Sequence, residues 1–91
     1  MARKVLIAFP QDPDVTASTF TAVGHVVPRN STVILELTDT NGTRTTDTVS
    51  PDAATGQWSF AYKSIASGNG SLIAKQVSHP GITHSVTFTV S

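Results

Sequence analysis

The side chains in this 91-residue chain that could carry acid–base, nucleophilic or metal chemistry are few. They are three histidines (His25, His79, His84), one glutamate (Glu36), five dispersed aspartates (Asp12, Asp14, Asp39, Asp47, Asp52) and many serines and threonines. His79 and His84 flank the turn Pro80-Gly81, and two imidazoles could begin a zinc site, but no third and fourth ligand are indicated by spacing. Turn or surface histidines are the expected reading. Nucleophilic catalysis needs an oriented hydroxyl, a base and a carboxylate. No Gly-x-Ser-x-Gly elbow or oxyanion motif is present. Glycoside hydrolysis needs two convergent acids, and the single glutamate sits on the outward side of a strand pattern. No cysteine is present, which removes disulfides, thiolate metal sites and a thiol nucleophile. The chain is therefore expected not to be an enzyme, with no catalytic residue, no cofactor and no metal.

Charge excludes further classes. Six basic and six acidic residues sum to zero, and only Arg3 and Lys4 are adjacent basic residues. Nucleic acid and anionic membranes select for clustered Lys and Arg, so neither is an expected partner. The start, Met1-Ala2-Arg3-Lys4, is basic, but the apolar run after it ends at Pro10. That is shorter than the ~7–15 residues of a signal h-region, and residues 5–9 read instead as a strand. No stretch reaches the ~18 apolar residues of a membrane span.

The elements that would position these side chains are strands. The clearest stretch is the hairpin over residues 31–49. Val33, Leu35 and Leu37 fall on one face and Thr32, Glu36 and Thr38 on the other, a period of two. Asn41-Gly42 between the two arms predicts a type I′ turn, in which both residues take φ > 0. Before it, residues 4–9 predict a first strand. Pro10-Gln11-Asp12-Pro13-Asp14 predicts a linker that either crosses between sheets or frees an arm. Residues 19–27 predict a strand with Phe20, Ala22 and Val26 inward, and Gly24 marks a bulge or a close backbone approach. After the hairpin, residues 57–63 carry Trp58, Phe60 and Tyr62 on one face, read as half of a core, with the Tyr62 hydroxyl free to face outward. Residues 64–70 read as a polar loop around Gly68-Asn69-Gly70. Residues 71–78 read as a central strand, and residues 82–90 as the closing strand with Val86, Phe88 and Val90 inward. About seven strands at 8–12-residue spacing predict an all-β fold, an antiparallel β-sandwich forming a single domain over residues 1–91.

Residues 24–91 also resemble the bacterial Ig-like repeats of adhesins and tailed-phage structural proteins. The resemblance rests on Ser31-Thr32-Val33 and Leu37-Thr38-Asp39 leading into Asn41-Gly42. It continues through Gly56-Gln57-Trp58-Ser59-Phe60, Ser67-Gly68, and Gly81 followed by Val86-Thr87-Phe88-Thr89-Val90. It implies an Ig-like β-sandwich. The aspartates are dispersed rather than clustered as in calcium-binding adhesin repeats. An initiator Met without an export signal resembles a virion component, made in the host cytoplasm and located in the virion. The implied function is a non-enzymatic capsid decoration protein that binds and stabilises the assembled head. Its partner would be the major capsid protein or another virion protein, and symmetric sites would favour a homo-oligomer. The alternative is a carbohydrate-binding, adhesive Ig-like module that takes surface glycans on a virion or cell.

The N-terminal segment, residues 1–13, lies outside that resemblance and reads in two ways. It is the first strand of its own sandwich, or it is an arm that docks on a neighbour by strand addition. In the second case Val5, Ile7 and Phe9 would share the contact face, and Arg3 and Lys4 would meet acidic groups at its rim.

Overall fold

The computed structural model describes residues 3–12 and 14–91. The strands are β1 (Lys4–Phe9), β2 (Val15–Thr16), β3 (Phe20–Val27), β4 (Val33–Thr38), β5 (Arg44–Val49), β6 (Gln57–Tyr62), β7 (Gly68–Gln76) and β8 (Thr83–Val90). They form two sheets, one ordered β1-β3-β6 and the other β2-β8-β7-β4-β5. All pairings are antiparallel except β2 with β8, which is parallel. The fold is all-β, a largely antiparallel β-sandwich.

Alternation decides which residues meet between the sheets. Val5 and Ile7 of β1, Phe20, Ala22 and Val26 of β3, and Trp58 and Tyr62 of β6 come from one sheet. Val33, Leu35 and Leu37 of β4, Leu72 and Ala74 of β7, and Val86, Phe88 and Val90 of β8 come from the other. Phe20 sits at the aromatic centre, 5.4 Å from the Tyr62 ring and 5.5 Å from the Phe88 ring. The expected inward sets of residues 19–27, 57–63 and 82–90 are those found, except that Phe60 is only half-buried.

The linker does cross between sheets. β1 pairs with β3 in one sheet, and two residues of β2 then pair with Thr89 and Val90 in the other. Pro13 of that linker lies outside the described residues, as do Met1 and Ala2 of the N-terminal segment. β2 carries no periodic signal and is held by main-chain bonds, Thr89 N–H to the Asp14 carbonyl at 3.0 Å and Ser91 N–H to the Thr16 carbonyl at 2.8 Å.

Gly24 makes the close approach read from the sequence. A Cβ there would be driven into the Leu6 carbonyl oxygen and the Trp58 ring. The bulge falls on the partner strand, where the β1–β3 register shifts between Ile7 and Phe9.

Two expectations are corrected. The central hairpin does not use a type I′ turn. Gly42 has φ 81°, while Ser64 is the only non-glycine of the described residues with positive φ, so Asn41 does not share the left-handed region. Gly42 N–H bonds the Asp39 carbonyl and Asp39 N–H bonds the Thr43 carbonyl, both at 3.0 Å. That is a three-residue loop closed by a left-handed glycine, the next commonest hairpin after the two-residue turns. The Asp39 carboxylate takes the N–H groups of Asn41 and Thr43 at 2.9 and 3.0 Å, and so fixes the wider loop. A Cβ at Gly42 meets nothing within 4 Å, so Gly42→Ala tests backbone strain alone. It is expected to lower stability by about 1–2 kcal/mol, read from the urea midpoint.

The second correction concerns residues 64–70. β7 begins at Gly68, so Gly68-Asn69-Gly70 is strand rather than loop, and it ends at Gln76 rather than at residue 78. Gly68 takes a positive φ of 129°, which favours glycine, and both glycines also leave room for close contacts. The Thr40 side chain packs on Gly68 and the Phe88 ring on Gly70.

Candidate interaction surfaces

The structure separates the histidines. His84 Nδ1 accepts the Ile7 N–H at 2.9 Å, joining β8 to the far edge of β1. His25 Nε2 lies 2.9 Å from the Thr55 carbonyl, and His79 Nδ1 lies 3.0 Å from the Ser78 hydroxyl. Each imidazole serves a different local contact. Among the described residues no three metal-ligating side chains gather. Glu36 faces outward as expected and pairs with Lys75 at 3.0 Å on the outer face of the five-stranded sheet.

The N-terminal segment is a strand of its own sandwich over the described residues. Val5 and Ile7 are buried at 2% and 1% exposure, and Phe9 is half-buried against the same core. In this folded state those three side chains do not face a partner. Arg3 before the strand is exposed, and the β1 residues turned outward are Lys4, Leu6 and Ala8.

β1 is also held by one side chain remote in sequence and one close to it. The fully buried Gln76 donates from Nε2 to the Val27 carbonyl at 2.7 Å and the Lys4 carbonyl at 3.1 Å. Gln11 Nε2 reaches the Ile7 carbonyl at 3.2 Å. The strand pattern gave no sign of Gln76, because its partners lie 72 and 49 residues away. Gln76→Leu keeps the bulk but leaves both carbonyls without that donor. It is expected to cost about 2 kcal/mol in urea unfolding. Faster hydrogen exchange should be confined to β1 and its β3 neighbours.

On the outer face of the three-stranded sheet, Leu6 and Ala8 of β1, Thr21 and Val23 of β3, and Ser59 and Ala61 of β6 form a central patch, with Lys4, His25 and Gln57 on the same face toward one end. Leu6 is 40% and Val23 36% exposed, half of the four large apolar side chains exposed among the described residues. No charged residue lies among those six. The opposite outer face is different. Thr83, Ser85, Thr87 and Thr89 of β8 all point outward, and a shallow depression there is lined by Asp12, Thr38, Asp39, Asn69, Ser71, Thr87 and Thr89.

Tyr62 does not present its hydroxyl to solvent. It is 3% exposed and its oxygen has no hydrogen-bond partner among the described residues. Burial first, and then the charge of Asp47, push the phenol far above its ordinary value of 10.0. The folded state then holds a proton that the unfolded chain releases. This contribution to stability is intact below pH 10 and is lost progressively above it. Tyr62→Phe is expected to flatten that alkaline fall in melting temperature.

No family model matches the chain, and no curated protein matches it. Solved structures do. CopC from Methylosinus trichosporium OB3b is similar over 99% of this chain and 94% of its own, with a TM-score of 0.71 and 12% identity. An engineered protein is similar over 99% of this chain and 20% of its own, with a TM-score of 0.73 and 21% identity. At these identities the likeness is one of fold, and it places the chain among β-sandwich proteins.

Proposed function

We propose that this domain is a non-enzymatic structural accessory protein of a phage virion, a capsid decoration protein that binds the assembled head and stabilises it. The observation that carries the reading is the face of Leu6, Ala8, Val23 and Ala61, an uncharged apolar patch on the three-stranded sheet with Lys4 and Asp52 at its rim. Such a face suits contact with a protein surface rather than with a polyanion. The resemblance of residues 24–91 to phage Ig-like domains supplies the kind of particle. The mechanism is mass action: a ligand of the assembled state that ignores free subunits stabilises assembly.

The test is binding of the purified domain to assembled heads and to free capsid subunits from its source. Saturable binding to heads, lost in Leu6→Lys/Val23→Lys, supports the reading. No affinity for any assembled particle overturns it.

A second reading, a glycan-binding adhesive module, is favoured by one specific observation. The depression on the five-stranded sheet gathers hydroxyls of Thr38, Ser71, Thr87 and Thr89, the Asn69 amide and the carboxylates of Asp12 and Asp39. Such groups suit the vicinal hydroxyls of a sugar. Glycan titrations that leave the Asn69 amide resonance unmoved would sink it.

A further inference from the structure

The geometry points to β6 as a self-complementary edge through which two copies of this chain associate, strand to strand across a two-fold axis centred on Phe60. This inference stands on β6 alone and does not depend on the particle reading.

Sheet edges are aggregation hazards that proteins blunt with charges, short strands or cover. Four edges end the two sheets: β1, β6, β2 and β5. β5 carries Arg44 and the inward-leaning Asp47, and β2 is two residues long. At β1, Ile7 N–H is taken by His84, and the Ile7 carbonyl by Gln11. β6, Gln-Trp-Ser-Phe-Ala-Tyr, carries no charge and no proline.

The phase of its free groups can be worked out. Val26 N–H bonds the Gly56 carbonyl at 2.9 Å, and the β3–β6 register places these two residues opposite each other. In an antiparallel ladder the hydrogen-bonded pairs alternate. Trp58, Phe60 and Tyr62 therefore direct their main-chain groups at β3, and Gln57, Ser59 and Ala61 direct theirs at the open edge. Gln57 confirms the phase. Its carbonyl takes the Asp52 N–H at 2.8 Å and its N–H reaches Thr55 Oγ1 at 3.2 Å, both from the loop beside the edge. Among the described residues, the edge-facing donors and acceptors of Ser59 and Ala61 have no partner.

A second β6 fits that gap. With Phe60 opposite its own copy, Ser59 faces Ala61 of the other chain, and every open main-chain group of the two residues finds a partner. The residues on the outer side of this pairing, Ser59 and Ala61, are small enough for close approach. On the inner side the half-buried Phe60 meets its copy, extending the contact it already makes with Tyr62 at 4.9 Å. The chain's own Asp52–Thr55 loop already fills the edge at Gln57, so the paired stretch ends at Trp58 opposite Tyr62, and Lys63 of the other chain leaves it there, beside Asp52. Asp52 Oδ1 is occupied by Ala54 N–H at 2.8 Å, which leaves Oδ2 to meet the Lys63 ammonium. The two-fold axis makes that ion pair twice. Beyond it, Ser64 turns the chain away with φ 57°.

One strand pair buries much less than the ~1,600 Å² of a standard interface, so the dimer is weak and concentration-dependent. Sedimentation equilibrium of the whole chain from about 10 µM to about 1 mM tests it, together with hydrogen exchange at the two ends of that range. The expected result is a monomer–dimer equilibrium with Ser59 and Ala61 amides protected only at the high concentration. Ala61→Pro removes a donor that β3 does not use and is expected to weaken association at least tenfold. Lys63→Glu, an exposed change that leaves the strand intact, is expected to weaken it several-fold. A chain that stays monomeric to about 1 mM overturns the inference. So does a dimer that survives Ala61→Pro, or one whose Ser59 and Ala61 amides exchange equally at both concentrations.

Discussion

Gly24→Val is expected to remove most of the stability of the domain, and Gly24→Ala a large part of it. Propensity alone argues the reverse. Glycine within a strand is unfavourable by roughly 0.5–1 kcal/mol relative to alanine, and valine is a good strand former. Sterics decide the sign. The side-chain direction at Gly24 is filled by the Leu6 carbonyl oxygen of one neighbouring strand and the Trp58 ring of the other. One is main chain in a hydrogen-bonded sheet, and the other is a 2%-exposed side chain in the core. Neither has room to yield. Overpacking costs ~1–3 kcal/mol in cores that relax, and more where they do not. We expect about 3 kcal/mol or more for Gly24→Ala, set against the ~5–14 kcal/mol available to a domain of this size. Urea unfolding should show a midpoint lowered by about 2 M or more. A midpoint within about 0.5 M of the parent would contradict the close approach at this position.

Trp58→Ala carries the second large effect. Trp58 spans the space between β3 and the opposite sheet, and its Nε1 has no protein partner, so its contribution is packing rather than hydrogen bonding. Truncation should cost about 3–5 kcal/mol. In a domain near 100 residues that lowers the melting temperature by roughly 15–30 °C. The two sites are coupled, because the indole is what a side chain at position 24 meets. Gly24→Ala introduced into Trp58→Ala should therefore cost at least about 1 kcal/mol less than Gly24→Ala in the parent. Additive losses would mean that the Leu6 carbonyl, not the ring, sets the limit.

Much of this architecture was legible in the chain itself. Strands whose inward residues alternate with polar ones, such as Leu35-Glu36-Leu37-Thr38 and Val86-Thr87-Phe88-Thr89-Val90, declare both their existence and their buried face. Pro10 and Pro13 marked a linker, but whether it crossed between sheets or freed an arm was decided only by the pairing of β2 with β8. What was not legible has physical reasons. β2 is two residues of main-chain pairing and has no pattern to show. Asn41-Gly42 marked the turn correctly, but the Asp39 carboxylate selected a wider loop than the pair alone suggests. Gly68 and Gly70 look like turn residues because glycine has two uses, and only the neighbours Thr40 and Phe88 reveal the second.

The candidate surfaces divide in the same way. Val5, Ile7 and Phe9 were correctly seen to share an apolar face, yet a strand completing its own sandwich and a strand offered to a neighbour have the same pattern. The fold turns that face into the core and leaves Leu6, Ala8 and Val23 outside. Gln76 and His84 read as ordinary strand residues, because their roles are bonds to β1 at separations of 72 and 77 residues. The partner of an interaction surface is a property of two molecules, and one chain carries only its half.

The central claim is that the domain rides on an assembled particle. Gradient sedimentation of the native protein in a lysate of its own source tests it most directly. The account predicts that the protein travels with particles of viral size, in many copies, and that Leu6→Lys/Val23→Lys releases it to the top of the gradient. A native protein that stays at the top as a species of 9.5 kDa, or of twice that mass, would contradict it.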